Sequence, residues 1–291
     1  MLIAGVVVVS AGVVKGIERA FATSICELKD YIPGPDMGTD EEAMAWIKDE
    51  IGRAVGLPRV MGGIPLDEIG ATGFGLAIAA QVVEEFGGPR LEGARVAVQG
   101  FGAVGQHVAR FLTEKGAPLI AACDSRATVV DPEGLDVGRL IEFKRQGKSF
   151  TDYDKGKKLA PEDILGIACD IWIPAARPDV INSANVERLN AKLVLQGANI
   201  PVTLDAERRL HEHGILSIPD FVANAGGVIC ASAEYHGGTE KAAFDVIAAK
   251  ILVNTREVLR ASKEGNKLPR QAATAMAERR VETAMALRRW R

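Results

Sequence analysis

The sequence predicts an α/β fold around a doubly wound, mostly parallel sheet, and three observations carry that prediction. Short β-branched runs alternate with amphipathic stretches through the middle of the chain. One run, "RVAVQ" at 95–99, passes directly into a glycine-spaced turn and then a helical pattern. The chain has 291 residues, 47% hydrophobic and 25% charged, an ordinary globular composition sufficient for two domains or one large one.

The first element is "MLIAGVVVVSAGVV". At about 14 residues it is short for a membrane span, and it lacks a positive leader. Its β-branched run at 6–9 reads as a buried strand, with a signal peptide as the weaker alternative. Next comes "DYIPGPDMGTDEEAMAW" at 30–46, a loop with two prolines and two glycines before a helix. Thr39 with Glu42 three residues on is a capping box, supported by Asp40 and Glu41 in the first turn. Asp36 is therefore surplus as a cap. It is either a turn residue beside Pro35 or a carboxylate available to move protons. "ATGFGLAIAAQVVEEF" then reads as a long helix joining the segments on either side.

The strand at 95–99 leads into Gly100, Gly102 and Gly105, G-x-G-x-x-G between a strand and a helix. Gly100 allows the tight turn, Gly102 lets backbone approach a pyrophosphate, and Gly105 lets the helix pack on the strand. Ala103 and Val104 begin the helix, whose unpaired N–H groups and positive end suit phosphate. A second strand, "PLIAAC", ends at Asp124, 24 residues after Gly100, where a carboxylate would hold the adenosine ribose hydroxyls. A glycine-rich structural turn imitates the bare motif, but the context and the acid together predict a Rossmann-type dinucleotide site. Asp124 disfavours a 2′-phosphate and Arg126 accommodates one; the sequence leans to NAD, with NADP as the alternative.

Three further strands follow, in "CDIWIPAA", "AKLVLQGAN" and "GILSIPDFVANAGG", with a helix at 204–213 between the last two. In such sheets the ligand lies outside the carboxyl ends of the strands. Asn199 and Asn224, at two such ends, suit a nicotinamide carboxamide or simply cap turns. Two amphipathic helices close the chain; Arg279, Arg280, Arg288, Arg289 and Arg291 read as a solvated face or an oligomer contact. A net charge of −3 argues against nucleic acid as a partner, and no stretch argues for a membrane. Cys26, Cys123, Cys169 and Cys230 are scattered, which predicts neither a disulfide framework nor a metal site and fits a reducing, cytoplasmic setting.

The stretches "IPGPDMGTDEEAMAWIKDE", "GATGFG", "VAVQGFGAVGQHVARFL", "ACDSRATVVDPEGLD", "CDIWIPAARPDVI", "LQGANIPVT" and "IPDFVANAGGVICASAEY" occur in one order from about Arg19 onward. Together they resemble the glutamate/leucine/phenylalanine/valine dehydrogenase family, and within it the glutamate dehydrogenases. The resemblance implies interconversion of an L-amino acid and its 2-oxo acid with NAD(P), ammonia being released or consumed. It matches Asp36 to a catalytic acid and Thr72 to a threonine near substrate and nicotinamide. It matches Asn199 and Asn224 to the nicotinamide pocket, and 174–176, including Ala176, to a cofactor-facing strand end.

Family enzymes carry an N-terminal domain ahead of the position of Arg19, with one lysine that activates water and another that binds the substrate carboxylate. Only 18 residues precede Arg19 here, and Lys15 lies too near Asp36 to match either lysine. Ala231 stands where many glutamate-specific members have a serine, with Ser232 beside it. The expected organisation is a substrate-domain remnant with its connecting helix at 1–89, a dinucleotide-binding domain at 90–235, and C-terminal helices at 236–291. By family the expected activity is that of an amino-acid dehydrogenase, whereas for this chain by itself the expectation is cofactor binding with little or no turnover. The alternatives are a noncatalytic NAD(H)-binding subunit and a nucleotide-sensing module. Apolar surface left uncovered predicts a homo-oligomer, or a hetero-oligomer with a full-length paralogue.

Overall fold

The computed structural model describes residues 11–36 and 38–287. The run at 6–9 and the arginines Arg288, Arg289 and Arg291 lie outside the described residues. The chain divides into two compact units, Met1–Ala71 with Gly227–Ile247, and Thr72–Gly226 with Ala248–Arg291.

In the first unit, α1 (Ala11–Ser24) precedes the proline–glycine loop and α2 (Glu41–Ile51) follows it. From Ala11 onward the N-terminal stretch is helical. Ala22 of α1 joins Ala43, Met44 and Ile47 of α2 in one small core, and the helical period puts those α2 residues on one face. The cap of α2 also differs from the sequence reading. Asp40, not Thr39, is the N-cap, its carboxylate accepting from Ala43 N at 3.0 Å. Thr39 is engaged by the loop: its Oγ1 accepts from Asp36 N at 2.9 Å, and its own N–H donates to Asp36 O at 2.9 Å. A short helix, α3 (Leu66–Ile69), completes this stretch.

The chain crosses to the second unit through α4 (Ala71–Glu85). Leu66–Glu85 is long and apolar enough to cross a membrane, but 67% of its apolar window is buried within the protein, as in a core helix. Then come β1 (Val96–Gln99), α5 (Ala103–Glu114), β2 (Leu119–Cys123), β3 (Thr128–Val130), α6 (Val137–Arg145) and β4 (Lys157–Leu159). β5 (Ile171–Pro174), β6 (Leu193–Leu195), α7 (Leu204–Glu212), β7 (Leu216–Ile218) and α8 (Asp220–Ala223) follow. α9 (Gly226–Tyr235) and the start of α10 (Glu240–Gly265) return to the first unit, and α11 (Pro269–Ala286) ends in the second.

The seven strands form one sheet in the order β4-β3-β2-β1-β5-β6-β7. β2, β1, β5, β6 and β7 are parallel; β3 and β4 extend one edge antiparallel. This is the doubly wound α/β sheet the sequence predicts. The parallel strands are buried on both faces, which is why they read as unbroken runs such as "IWI" and "LVL". The order reverses between β1 and β5, where Gln99 sits in register with Pro174. That switch point is where a parallel sheet opens a crevice. Arg279 and Arg280 pair with Glu257 of α10 at 2.9 and 2.8 Å, so two arginines of the sequence-predicted basic face hold α11 to α10.

Candidate functional site

β1 ends at Gln99, and the chain turns at Gly100 with φ of +92°. A Cβ there would lie 2.6 Å from the Cβ of Ala176, just beyond the end of β5, so only glycine fits the turn. A Cβ on Gly105 would sit 1.9 Å from Gly100 O. Helix and turn are therefore in direct backbone contact. At Gly102 a Cβ would meet nothing within 4 Å. The protein itself does not require glycine there; something approaching from outside would. Gly102 is also the N-cap of α5, so Ala103 and Val104 stand in the first turn, where backbone N–H groups lack intrahelical partners. Glycine open to the cleft at a helix N-terminus is the cradle a pyrophosphate needs, and the residues present fit it.

A cleft of about 600 Å³ opens at this turn, lined by Gly100, Gly102, Asp124, Lys144, Ala176 and Arg177 among others. Asp124 follows β2 and lines the cleft, yet its carboxylate is heavily occupied. Oδ1 accepts from Arg126 N at 2.9 Å and Ala127 N at 3.1 Å. Oδ2 accepts from Phe150 N and Lys144 Nζ, both at 2.8 Å, and from Ser149 Oγ at 3.1 Å. Two carboxylate oxygens offer about four lone-pair sites, and five donors already converge on them. Burial by itself raises this carboxyl, but Lys144 and the N–H groups of Phe150, Arg126 and Ala127 outweigh it and hold it at about 2. A ribose hydroxyl reaches Asp124 only by displacing one of these donors. Lys144 also lies 5.2 Å over the ring of Phe150, which packs 5.4 Å from Phe101 beside the glycine turn.

The other sequence-predicted residues of this unit gather across the switch point. Gly197 N and Ala198 N donate to Pro174 O at 3.0 and 2.8 Å, tying the end of β6 to the end of β5. A Cβ on Gly197 would touch Leu76 of α4 at 3.2 Å and Val104 of α5 at 3.4 Å. Thr72, half-buried, lies one turn before Leu76 on α4. Asn199 Oδ1 accepts from Asn224 Nδ2 at 2.8 Å, and Asn224 closes α8 with its N–H on Asp220 O at 2.7 Å. The structure thus groups the glycine turn, Ala176 and the segment ending at Asn199, which holds Asn224.

Asp36 belongs to the first unit, exposed and part of the turn closed by Thr39. Arg53 fixes the start of that loop, donating to the carbonyls of Ile25, Leu28 and Tyr31, each at 2.9 Å. Val55 N donates to Pro33 O at 2.9 Å. Burial, with repulsion from Glu41 and Asp36, raises the Asp67 carboxyl above the ordinary value. All four cysteines are free; Cys123, Cys169 and Cys230 are buried, and burial pushes Cys169 and Cys230 up to about 12.

Sequence reasoning missed a second set of side chains. Arg270, at the start of α11, reaches Glu207, Gln196 and Asp220 on three other elements or strand ends. The one available signal was Gln196, a polar residue in an otherwise apolar strand run. Lys144 and Ser149, which hold Asp124, carried no sequence signal.

The family model described as Glutamate/Leucine/Phenylalanine/Valine dehydrogenase matches residues 62–289. A glutamate dehydrogenase of Aeropyrum pernix is 40% identical over 281 residues, 89% of this chain and 66% of that protein. An NADP-specific glutamate dehydrogenase of Saccharolobus shibatae is 40% identical over 214 residues, 70% of this chain and 50% of the relative. A hetero-hexameric glutamate dehydrogenase from Thermus thermophilus, in a leucine-bound form, superposes with a TM-score of 0.85 at 27% identity. That alignment covers 95% of this chain and 70% of the other. The chain spans between a half and about two thirds of the length of these two curated relatives.

Proposed function

The chain belongs to the glutamate/leucine/phenylalanine/valine dehydrogenase family, and from that premise we propose that it serves oxidative deamination of an L-amino acid of the glutamate type with NAD(P). The observation that carries the reading is Gly102, open to the cleft at the switch point of the sheet while Gly100 and Gly105 are locked in contact. The nicotinamide ring, when bound, supplies the hydride acceptor. In the substrate the Cα–H bond breaks, its electron pair leaving as hydride, and the amine gives up a proton to form an imine. Water adds to the imine, and collapse of the adduct expels ammonia and leaves the 2-oxo acid. We assign those proton transfers to Asp36, help typically worth about 10²–10⁴-fold. Thr72, Ala176, Asn199 and Asn224 orient the nicotinamide, and the first turn of α5, with Ala103 and Val104, receives the pyrophosphate.

The sequence leaned to NAD because a free Asp124 would repel a 2′-phosphate. With that carboxylate paired to Lys144 and bonded to backbone, the repulsion is largely compensated. We therefore read the site as open to NADP(H) as well as NAD(H). We further propose that the chain works in an oligomer, as the hetero-hexameric neighbour does.

The test is fluorescence titration with NADH and NADPH, followed by turnover of glutamate, leucine, valine and phenylalanine, alone and mixed with a full-length relative. Gly102→Val is expected to weaken cofactor binding at least 100-fold, about 2.7 kcal/mol, with an unchanged melting temperature. Asp36→Asn is expected to retain cofactor binding and lose turnover. Equal binding by wild type and Gly102→Val overturns the assigned site.

A further inference from the structure

We propose that Arg270 is a positioning residue for the nicotinamide end of the cleft, acting through Asp220 and the backbone of Ile200 on the Asn199 and Asn224 pair. This rests on the cofactor reading above. Arg270 enters from the first turn of α11 and is largely buried. Its Nε bonds Glu207 of α7 at 2.8 and 2.9 Å. Its Nη2 bonds Gln196 Oε1 at 3.0 Å and Asp220 Oδ1 at 2.9 Å. Gln196, with no exposure, returns its amide to Glu207 at 2.6 Å and Ser217 at 3.0 Å. Every partner is itself held, so the guanidinium has one position.

Asp220 is where this cluster meets the candidate site. Its second oxygen, Oδ2, accepts from Ile200 N at 2.8 Å, and its backbone carbonyl accepts from Asn224 N at 2.7 Å. Ile200 directly follows Asn199. It also has φ of +48°, a left-handed conformation that a β-branched residue adopts only when its surroundings impose it. Asp179, whose N–H donates to Ile200 O at 2.9 Å, is left-handed too, at +54°. One side chain thus holds the strained residue beside Asn199, and its backbone holds Asn224. Those two asparagines then meet at 2.8 Å. Arg270 aligns Asp220 for both.

A buried ionic cluster is a poor device for stability alone, because desolvation offsets much of its Coulomb energy and packed apolar side chains serve as well. What it supplies is fixed geometry, and here the geometry converges on two residues at strand ends. A staple with no such role would give the same contacts, so the test separates the two ends of the ligand.

The full chain, as wild type, Arg270→Met and Arg270→Lys, is titrated calorimetrically with NADH and with ADP-ribose, which lacks the nicotinamide. Arg270→Met is expected to weaken NADH at least tenfold and ADP-ribose less than twofold, with Arg270→Lys between. If Arg270→Met fails to fold, Asp220→Asn carries the test, since an amide placed on Ile200 N–H and Arg270 cannot serve both, and the same asymmetry is expected. Equal weakening of both ligands, or no weakening in a folded variant, overturns the proposal. Wild-type protein that binds ADP-ribose as tightly as NADH overturns the positioning role and leaves the cofactor reading intact. Wild-type protein that binds neither overturns both.

Discussion

Two buried charge clusters flank the carboxyl ends of the parallel strands, and they are built in opposite ways. On the β2 side the centre is an anion, Asp124, held by one lysine, one hydroxyl and three backbone N–H groups. On the β6–β7 side the centre is a cation, Arg270, held by two carboxylates and a glutamine. Backbone donors lose no side-chain entropy when they bind and do not depend on another residue's rotamer. The Asp124 cluster therefore has many partners and no single weak point besides the acid itself. The Arg270 cluster is made of long side chains that hold one another. Removal of one member leaves the others buried with fewer partners for their charge. The comparison teaches that the first cluster shapes a wall, whereas the second transmits position.

The largest expected effect breaks the second cluster. Glu207→Ala leaves Arg270 with one carboxylate and takes from the Gln196 amide one of its two acceptors, Ser217 remaining, and breaking a buried pair of this kind typically costs about 3–5 kcal/mol. Urea denaturation reads it directly; a cost below about 1 kcal/mol would mean the members do not act as a network.

Asp124→Asn is the matching break on the other side, expected to cost roughly 2–3 kcal/mol because Lys144 loses its partner while several backbone bonds survive. Its pH signature has a definite sign. The folded carboxyl lies at about 2, below the ordinary 3.8, so its contribution is complete above 3.8 and is lost as pH falls through 2. In Asp124→Asn the acid limb of stability between those values should flatten. The same variant sharpens the ligand question. If Asp124 chiefly organises the wall, the ratio of NADPH to NADH affinity moves less than about threefold. A tenfold gain for NADPH, about 1.4 kcal/mol, would restore Asp124 as the discriminating ligand.

The smallest expected effect is Ser149→Ala. It removes one hydroxyl from five donors, so about 0.5–1.5 kcal/mol is expected, visible as a small shift in the urea midpoint. A loss as large as that of Asp124→Asn would show that the β2 cluster has a weak point after all, and the contrast with Arg270 would fail.

The Gly100–Gly102–Gly105 turn, the strands of the parallel sheet and the C-terminal helices were legible in the amino-acid order. Each is written in residues close together in the chain: closely spaced glycines where the turn takes Gly100 to a φ of +92°, an unbroken apolar run where a strand is buried. The short antiparallel pair β3 and β4 was not legible, since three residues apiece, two of them lysines in β4, carry almost no periodic signal. At the start of α2, both Thr39 and Asp40 had cap chemistry, and the loop settled the matter by engaging Thr39 through Asp36. Asp124 was found in the sequence as an acid at a strand end, but its hydroxyl, lysine and Phe150 donors come from about 20 to 26 residues away. Arg270 meets Gln196 across 74 residues. Short-range patterns set backbone conformation and mark where a ligand's phosphates could sit. Which charged side chains share a buried site is decided by long-range packing, because the energy of a buried charge depends on partners that only the folded chain brings within 3 Å or so of it.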